Sequence, residues 1–185
     1  MAWIRMINEQ EADTELAAVY DQVKGSRGKL SNIMAVHSLL PQTMQAHMDL
    51  YLTVMFDASG LSREEREMIA VVVSTANRCP YCINHHAQAL RHYWNDEERL
   101  IAFVADYASA DVSPRMQAVL DYAYRLTKAP NEVLETHVER LREHGLGDPD
   151  ILSVNLIISY FNFVNRIALG LGVEFSADEI RGYQY

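Results

Sequence analysis

The stretch "LSREEREMIAVVVSTANRCPYCINHH", Leu61 to His86, decides how the rest of the chain is read. Its centre, Val71 to Val73, favours a strand when taken alone. The residues in front of it overrule that preference. Ser62 with Glu65 three residues on is a capping box, and the charged first turn leads into an apolar run inside a helical frame. The segment therefore predicts a helix whose charged front is solvated and whose C-terminal half is buried. A second helix is predicted immediately after it, with Cys79 at the N-cap and Pro80 at the first helical position.

The same 3.6-residue pattern extends in both directions. "EADTELAAVYDQVKG" places Leu16, Val19, Tyr20 and Val23 near one face and stops at Gly25. "LPQTMQAHMDLYLTVMFDASG" starts on Pro41 and ends before Gly60. "NDEERLIAFVADYASA", "SPRMQAVLDYAYRLTKA", "NEVLETHVERLREHG" and "DPDILSVNLIISYFNFVNRIALG" each have a recognisable start, and "SADEIRGY" adds a last short turn. No segment alternates as a strand would. The expected fold is all-α: one compact domain over residues 1–185, built of eight to ten helices. A faint internal repeat points to duplication of a helical unit. "PQTMQAHMDLY" resembles "PRMQAVLDYAY", and residues 61–78 can be laid on 146–163 with Asn77 over Asn162.

Composition narrows the function classes. The net charge is −9, from 25 acidic and 16 basic residues, with no Lys/Arg cluster, which argues against nucleic acid and anionic membrane surfaces. The opening "MAWIRMINEQEADTEL" lacks the apolar core of a secretory signal. The apolar stretch from Ile151 to Phe175 is interrupted by Asn155, Asn162, Asn165 and Arg166, so it reads as a buried helix and not a lipid-facing one. Those asparagines need buried partners, and a carboxylate partner is expected for Arg166. A cytoplasmic location is expected, and there a lone cysteine pair is catalytic or metal-binding more often than structural.

The chain's two cysteines form C-P-Y-C, followed at once by His85 and His86. At about 100° per residue, Cys82 and His86 share a face, and Cys79 lies about 20° from His86. His85 falls about 60° to the far side of Cys82 and is read as facing solvent or a neighbouring subunit. Thiols in the first turn of a helix meet unpaired N–H groups and the positive end of the dipole, which favour a thiolate. A histidine one turn on can take the thiol proton, and a second cysteine can close a disulfide on a sulfenic acid. Glu67, twelve residues before Cys79, reaches His86 if the two helices are antiparallel; otherwise it is one more surface acid in "REERE".

The arrangement E-x11-C-P-Y-C-x3-H resembles the signature of the alkyl hydroperoxidase D family within the carboxymuconolactone decarboxylase superfamily. The helical frame from Asn32 to Glu174 is similar to its peroxidase-related branch. The resemblance implies that Cys82 is the peroxidatic thiol, Cys79 the resolving thiol, and His86 with Glu67 the proton relay. It implies a hydroperoxide substrate, an external dithiol reductant of lipoyl or thioredoxin type, no cofactor, and homo-oligomers, trimers or hexamers. Tyr81 stands where the founding enzyme of the family carries a histidine.

Four other readings compete. Zinc would use Cys79, Cys82 and His86, but structural zinc draws its second ligand pair from a distant segment and the chain has no further cysteine. A thioredoxin-like site lacks its βαβ surroundings. A lactone or small-acid decarboxylase has no use for the cysteine pair. A redox-sensing or structural module of the same fold would form the disulfide without useful turnover.

Overall fold

The computed structural model describes residues 2–183. Among these, nine α-helices follow one another: α1 (Thr14–Arg27), α2 (Asn32–Ala35), α3 (Pro41–Phe56), α4 (Arg63–Ala76), α5 (Pro80–Trp94), α6 (Glu97–Ala105), α7 (Pro114–Lys128), α8 (Glu135–Glu143) and α9 (Asp148–Gly170). Two single 3-10 turns complete the set, and the described residues contain no strand. The all-α expectation and the helix count both stand.

Helix α4 is the axis of the molecule. It packs against α5, α7 and α9, and Ile69 through Ser74 are fully buried around its whole circumference. A helix apolar on every side must be surrounded, and that is why Val71 to Val73 sit in a helix and not in a strand. The Ser62–Glu65 capping box is formed in both directions, with the Ser62 hydroxyl accepting from Glu65 N–H and the Glu65 carboxylate accepting from Ser62 N–H. The buried Arg66 ties the front of α4 to the preceding loop, donating to the carbonyls of Val54, Asp57 and Leu61.

The α4–α5 joint needs no linker. Arg78 adopts φ +55°, Cys79 N–H donates to the Ser74 carbonyl, and Arg78 N–H donates to the Thr75 carbonyl. These two bonds form a Schellman motif, here with arginine where glycine is usual. The residue that closes α4 is thus followed directly by the residue that caps α5.

The asparagines of the apolar helices find one another. Asn77 donates to Asn162 and Asn165, Asn165 to Ser74, Asn162 to Thr127, and Asn155 to the Tyr122 hydroxyl. Asn77 and Asn162, the positions matched by the sequence repeat, therefore hydrogen-bond across the α4–α9 contact at 2.9 Å. The two halves differ where it matters: α4 breaks at Arg78 and restarts at Pro80, whereas α9 runs unbroken from Asp148 to Gly170. Arg166 departs from expectation. It is exposed and donates to the Asn162 carbonyl and side chain, because solvent hydrates its charge and removes the need for a carboxylate. Helix α9 is long and apolar enough to cross a bilayer by composition; its Val154, Ile157, Ile158 and Phe161 face are instead buried in the core.

His47 on α3 is buried, and burial and the adjacent His37 hold it down to about 3. An unfolded histidine titrates near 6.5. Between those values the unfolded chain binds a proton that the folded chain refuses. Stability must therefore fall with pH across that window, by about 1.4 kcal/mol per pH unit. Urea midpoints are expected to decline below about pH 6.5, and His47→Gln to reduce the slope by its own share, the remainder belonging to His37 and His85, which burial also pushes down. An unchanged slope in the variant overturns this account.

Candidate active site

The site is built where the N-terminus of α5 meets the middle of α4 and α9. Cys79 and Cys82 are free thiols, both buried, with their sulfurs 3.0 Å apart. Of the two, Cys82 lines a cavity of about 80 Å³, together with His86, Glu67, Tyr81, Tyr160 and Phe161. Cys79 lies behind it, fully buried. The one-turn spacing and the N-cap position place the two sulfurs as the helical phase requires.

Glu67 is not a surface acid: it is 1% exposed. Its Oε2 accepts from His86 Nδ1–H at 2.7 Å, and its Oε1 accepts from the Arg63 guanidinium at 2.7 Å. Burial pushes the Glu67 carboxyl up, but the Arg63 charge and then His86 overrule it and hold the group below the usual carboxylate range. An ionised Glu67 fixes the imidazole tautomer with its proton on Nδ1, leaving Nε2 as the basic nitrogen. The His86 ring is held edge-on against Phe161, with centroids 4.5 Å apart.

The thiols act as one titrating unit. The hydrogen bond between the two sulfurs lowers the Cys79 thiol against burial, helped by the backbone N–H groups of Cys82 and Tyr81 at the start of α5. Cys82 is raised well above an ordinary thiol, first by the pairing with Cys79 and then by burial, while an Asn165 hydrogen bond works the other way. One proton therefore leaves the pair easily and the second does not. Those directions put the charge of the pair first on Cys79, and Cys82 bears it only when the shared proton sits on Cys79, across the 3.0 Å between the sulfurs.

Several members of the site were not legible in the chain. Arg63 supplies the charge that keeps Glu67 ionised and also donates to the Tyr51 hydroxyl. Its i,i+4 spacing to Glu67 was a usable signal. Asn165, expected only to need a buried partner, also hydrogen-bonds the Cys82 sulfur. The largest omission is Glu179, from the turn after α9, 94 residues beyond its partner His85. Glu179 accepts from His85 Nε2, from the Tyr81 hydroxyl at 2.8 Å and from Asn32 N–H at 2.9 Å. Lys29 reaches the carbonyls of Asp178, Glu179 and Arg181 and so clamps the same turn. His85, expected to face solvent or a neighbouring subunit, is mostly covered and is paired within the chain with Glu179. The C-terminal turn folds back over α5 and covers it, and no local pattern could reveal that. Burial pushes His85 down, with Glu179 opposing. Among the described residues, no three of His, Cys, Asp and Glu are disposed to hold a metal ion.

The fold and site together define an all-helical dithiol protein with a buried Glu–His pair beside the thiol that meets the cavity. The signature of the carboxymuconolactone decarboxylase family matches residues 41–125, from α3 into α7. An uncharacterised peroxidase-related protein of Silicibacter sp. TM1040 is 31% identical, superimposes with a TM-score of 0.83, and is covered over 90% of its length by 91% of this chain. The peroxidase-related protein of Ralstonia eutropha JMP134, described as an alkylhydroperoxidase AhpD core, is 29% identical with a TM-score of 0.86, over 97% of this chain and 94% of that one. The uncharacterised protein YdfG of Bacillus subtilis is 28% identical over 144 residues, 77% of this chain and 96% of its own. The chain belongs to the alkyl hydroperoxidase D-like group of the carboxymuconolactone decarboxylase family.

Proposed function

We propose that the protein is a thiol-dependent peroxidase that reduces small hydroperoxides. The observation that carries this reading is the order of the groups: Cys82 on the cavity, His86 and Glu67 beside it, and Cys79 3.0 Å behind. His86 Nε2 takes the proton that the dithiol releases. The Cys82 thiolate attacks the terminal peroxide oxygen; an S–O bond forms, the O–O bond breaks, and the departing alkoxide takes the proton from His86. Cys79 then attacks the Cys82 sulfenic acid, an S–S bond forms, and water leaves with the Cys79 proton. An external dithiol, oxidised in its turn, restores both thiols. A cavity of about 80 Å³ has room for a few water-sized groups, which favours hydrogen peroxide and short alkyl hydroperoxides.

One observation favours a second reading. Cys82 is 1% exposed, so the pair could serve as a redox-responsive dithiol with slow chemistry. One experiment separates the two. With dithiothreitol as reductant, the peroxidase reading expects continuous hydroperoxide consumption, and a Cys79–Cys82 disulfide by mass spectrometry when the reductant is withheld. A disulfide that forms once without turnover supports the second reading and overturns the first. The homo-oligomer implied by the family resemblance has a face to use: Leu152, Leu156, Phe163 and Leu169 are exposed on α9.

A further inference from the structure

A second run of polar side chains, separate from Glu67 and His86, ends at the same cavity. Tyr160 lines that cavity alongside Cys82. The Tyr160 hydroxyl lies 2.9 Å from His47 Nε2, His47 Nδ1 lies 3.1 Å from His37 Nε2, and His37 Nδ1 lies 3.0 Å from Thr43 Oγ1. Thr43 Oγ1 is 2.8 Å from the Leu40 carbonyl oxygen.

The far end sets the direction of the whole chain. A carbonyl only accepts, so Thr43 donates to Leu40 and its oxygen accepts from His37 Nδ1–H. A neutral imidazole carries one ring proton, so His37 Nε2 accepts from His47 Nδ1–H, and His47 Nε2 accepts from the Tyr160 O–H. Burial pushes His37 down as well as His47, and with both imidazoles neutral no other polarity satisfies all four contacts. Burial keeps His47 neutral, which prevents it from donating at both nitrogens. At the cavity end, Tyr160 has its only proton committed to His47. What it presents to the cavity is an acceptor oxygen.

We propose that Tyr160 receives the hydroperoxide: its hydroxyl oxygen accepts the peroxide O–H and sets the terminal oxygen against the Cys82 sulfur. His47, His37 and Thr43 are positioning residues that fix the direction of this hydrogen bond. The inference rests on the peroxidase reading and adds a substrate requirement, a free O–H on the peroxide. When the thiolate attacks, the S–O bond forms at the hydrogen-bearing oxygen and the alkoxide leaves with the proton from His86. The resulting sulfenic acid keeps the O–H that pointed at Tyr160, so the bond persists until Cys79 attacks.

The test compares wild type, Tyr160→Phe and Thr43→Val in two half-reactions. One is oxidation by tert-butyl hydroperoxide, read as kcat/KM. The other is reduction of the preformed Cys79–Cys82 disulfide by dithiothreitol, which uses no O–H acceptor. Tyr160→Phe is expected to lower kcat/KM about fivefold to tenfold, chiefly through KM, with disulfide reduction unaltered. Thr43 is exposed, so Thr43→Val leaves the core intact; it unpins the His37 tautomer and lowers kcat/KM by a smaller factor. Wild-type kcat/KM in Tyr160→Phe overturns the inference and leaves the peroxidase reading standing. Equal losses in both half-reactions overturn it in favour of a purely structural Tyr160. A Tyr160→Phe loss with an unaltered Thr43→Val overturns the positioning role of His37 and Thr43. A wild-type protein that does not consume the hydroperoxide removes both the reading and the inference.

Discussion

Cys82→Ser is expected to lower hydroperoxide turnover at least about a thousandfold while leaving the fold in place. A serine hydroxyl is a poor nucleophile, and no neighbouring charge in this site could ionise it at neutral pH. The change is nearly isosteric, and Cys82 packs beneath the cavity without carrying a helix cap, so the thermal midpoint should barely move. Cys79→Ser gives a different signature. The cavity thiol survives, the first equivalent of peroxide is consumed, and Cys82 stops as a sulfenic acid one oxygen heavier by mass spectrometry. Losses in that pattern assign the two sulfurs. Native turnover by Cys82→Ser, or full turnover by Cys79→Ser, sinks the assignment.

Glu67→Gln is expected to act on stability and activity together. The carboxylate answers two donors inside the protein, the Arg63 guanidinium and His86 Nδ1–H. A glutamine amide brings donors of its own and can accept properly from only one of them. Leaving Arg63 without its countercharge should cost about 3–5 kcal/mol. Loss of the imidazole's orientation should lower turnover about a hundredfold. The pH dependence has a definite sign. Because the folded pKa of Glu67 lies below its value of 4.5 in the absence of neighbours, its contribution is present above that value and lost as pH falls through the folded one. Wild type should therefore show an acid loss of stability below about pH 4.5 that is smaller in Glu67→Gln, with Glu179 still contributing a loss of the same sign, beneath the earlier decline caused by the buried histidines. Unfolding by urea across that range measures it. A variant as stable as wild type with full turnover would show that the Arg63–Glu67–His86 cluster is decorative.

Much of the fold was legible because its signals are local. The Ser62–Glu65 box, Pro41, Pro80 and Pro114 at helix starts, and the apolar spacing of α1 and α3 to α9 each depend on residues within a turn or two, whereas the single-turn α2 is too short to show a period and was not expected. The positions of Cys79, Cys82 and His86 follow for the same reason, since one helix carries all three once α5 has begun. The turn between α4 and α5 was harder: nothing in "ANRC" announces a left-handed arginine, because the usual residue there is glycine.

What the sequence determined by itself was the all-helical class, the thiol pair at a helix N-terminus and the imidazole one turn away, because helical periodicity and capping are properties of neighbouring residues. Only the tertiary structure decided the rest. It buried Glu67 between Arg63 and His86 and drew Asn165 to the Cys82 sulfur. It folded Glu179 back onto His85 and Tyr81, and linked Tyr160 through His47 and His37 to Thr43. The physical reason is that burial and distant partners determine whether a carboxyl is ionised, which nitrogen holds a proton, and whether a hydroxyl donates or accepts. Those partners meet only when the helices pack.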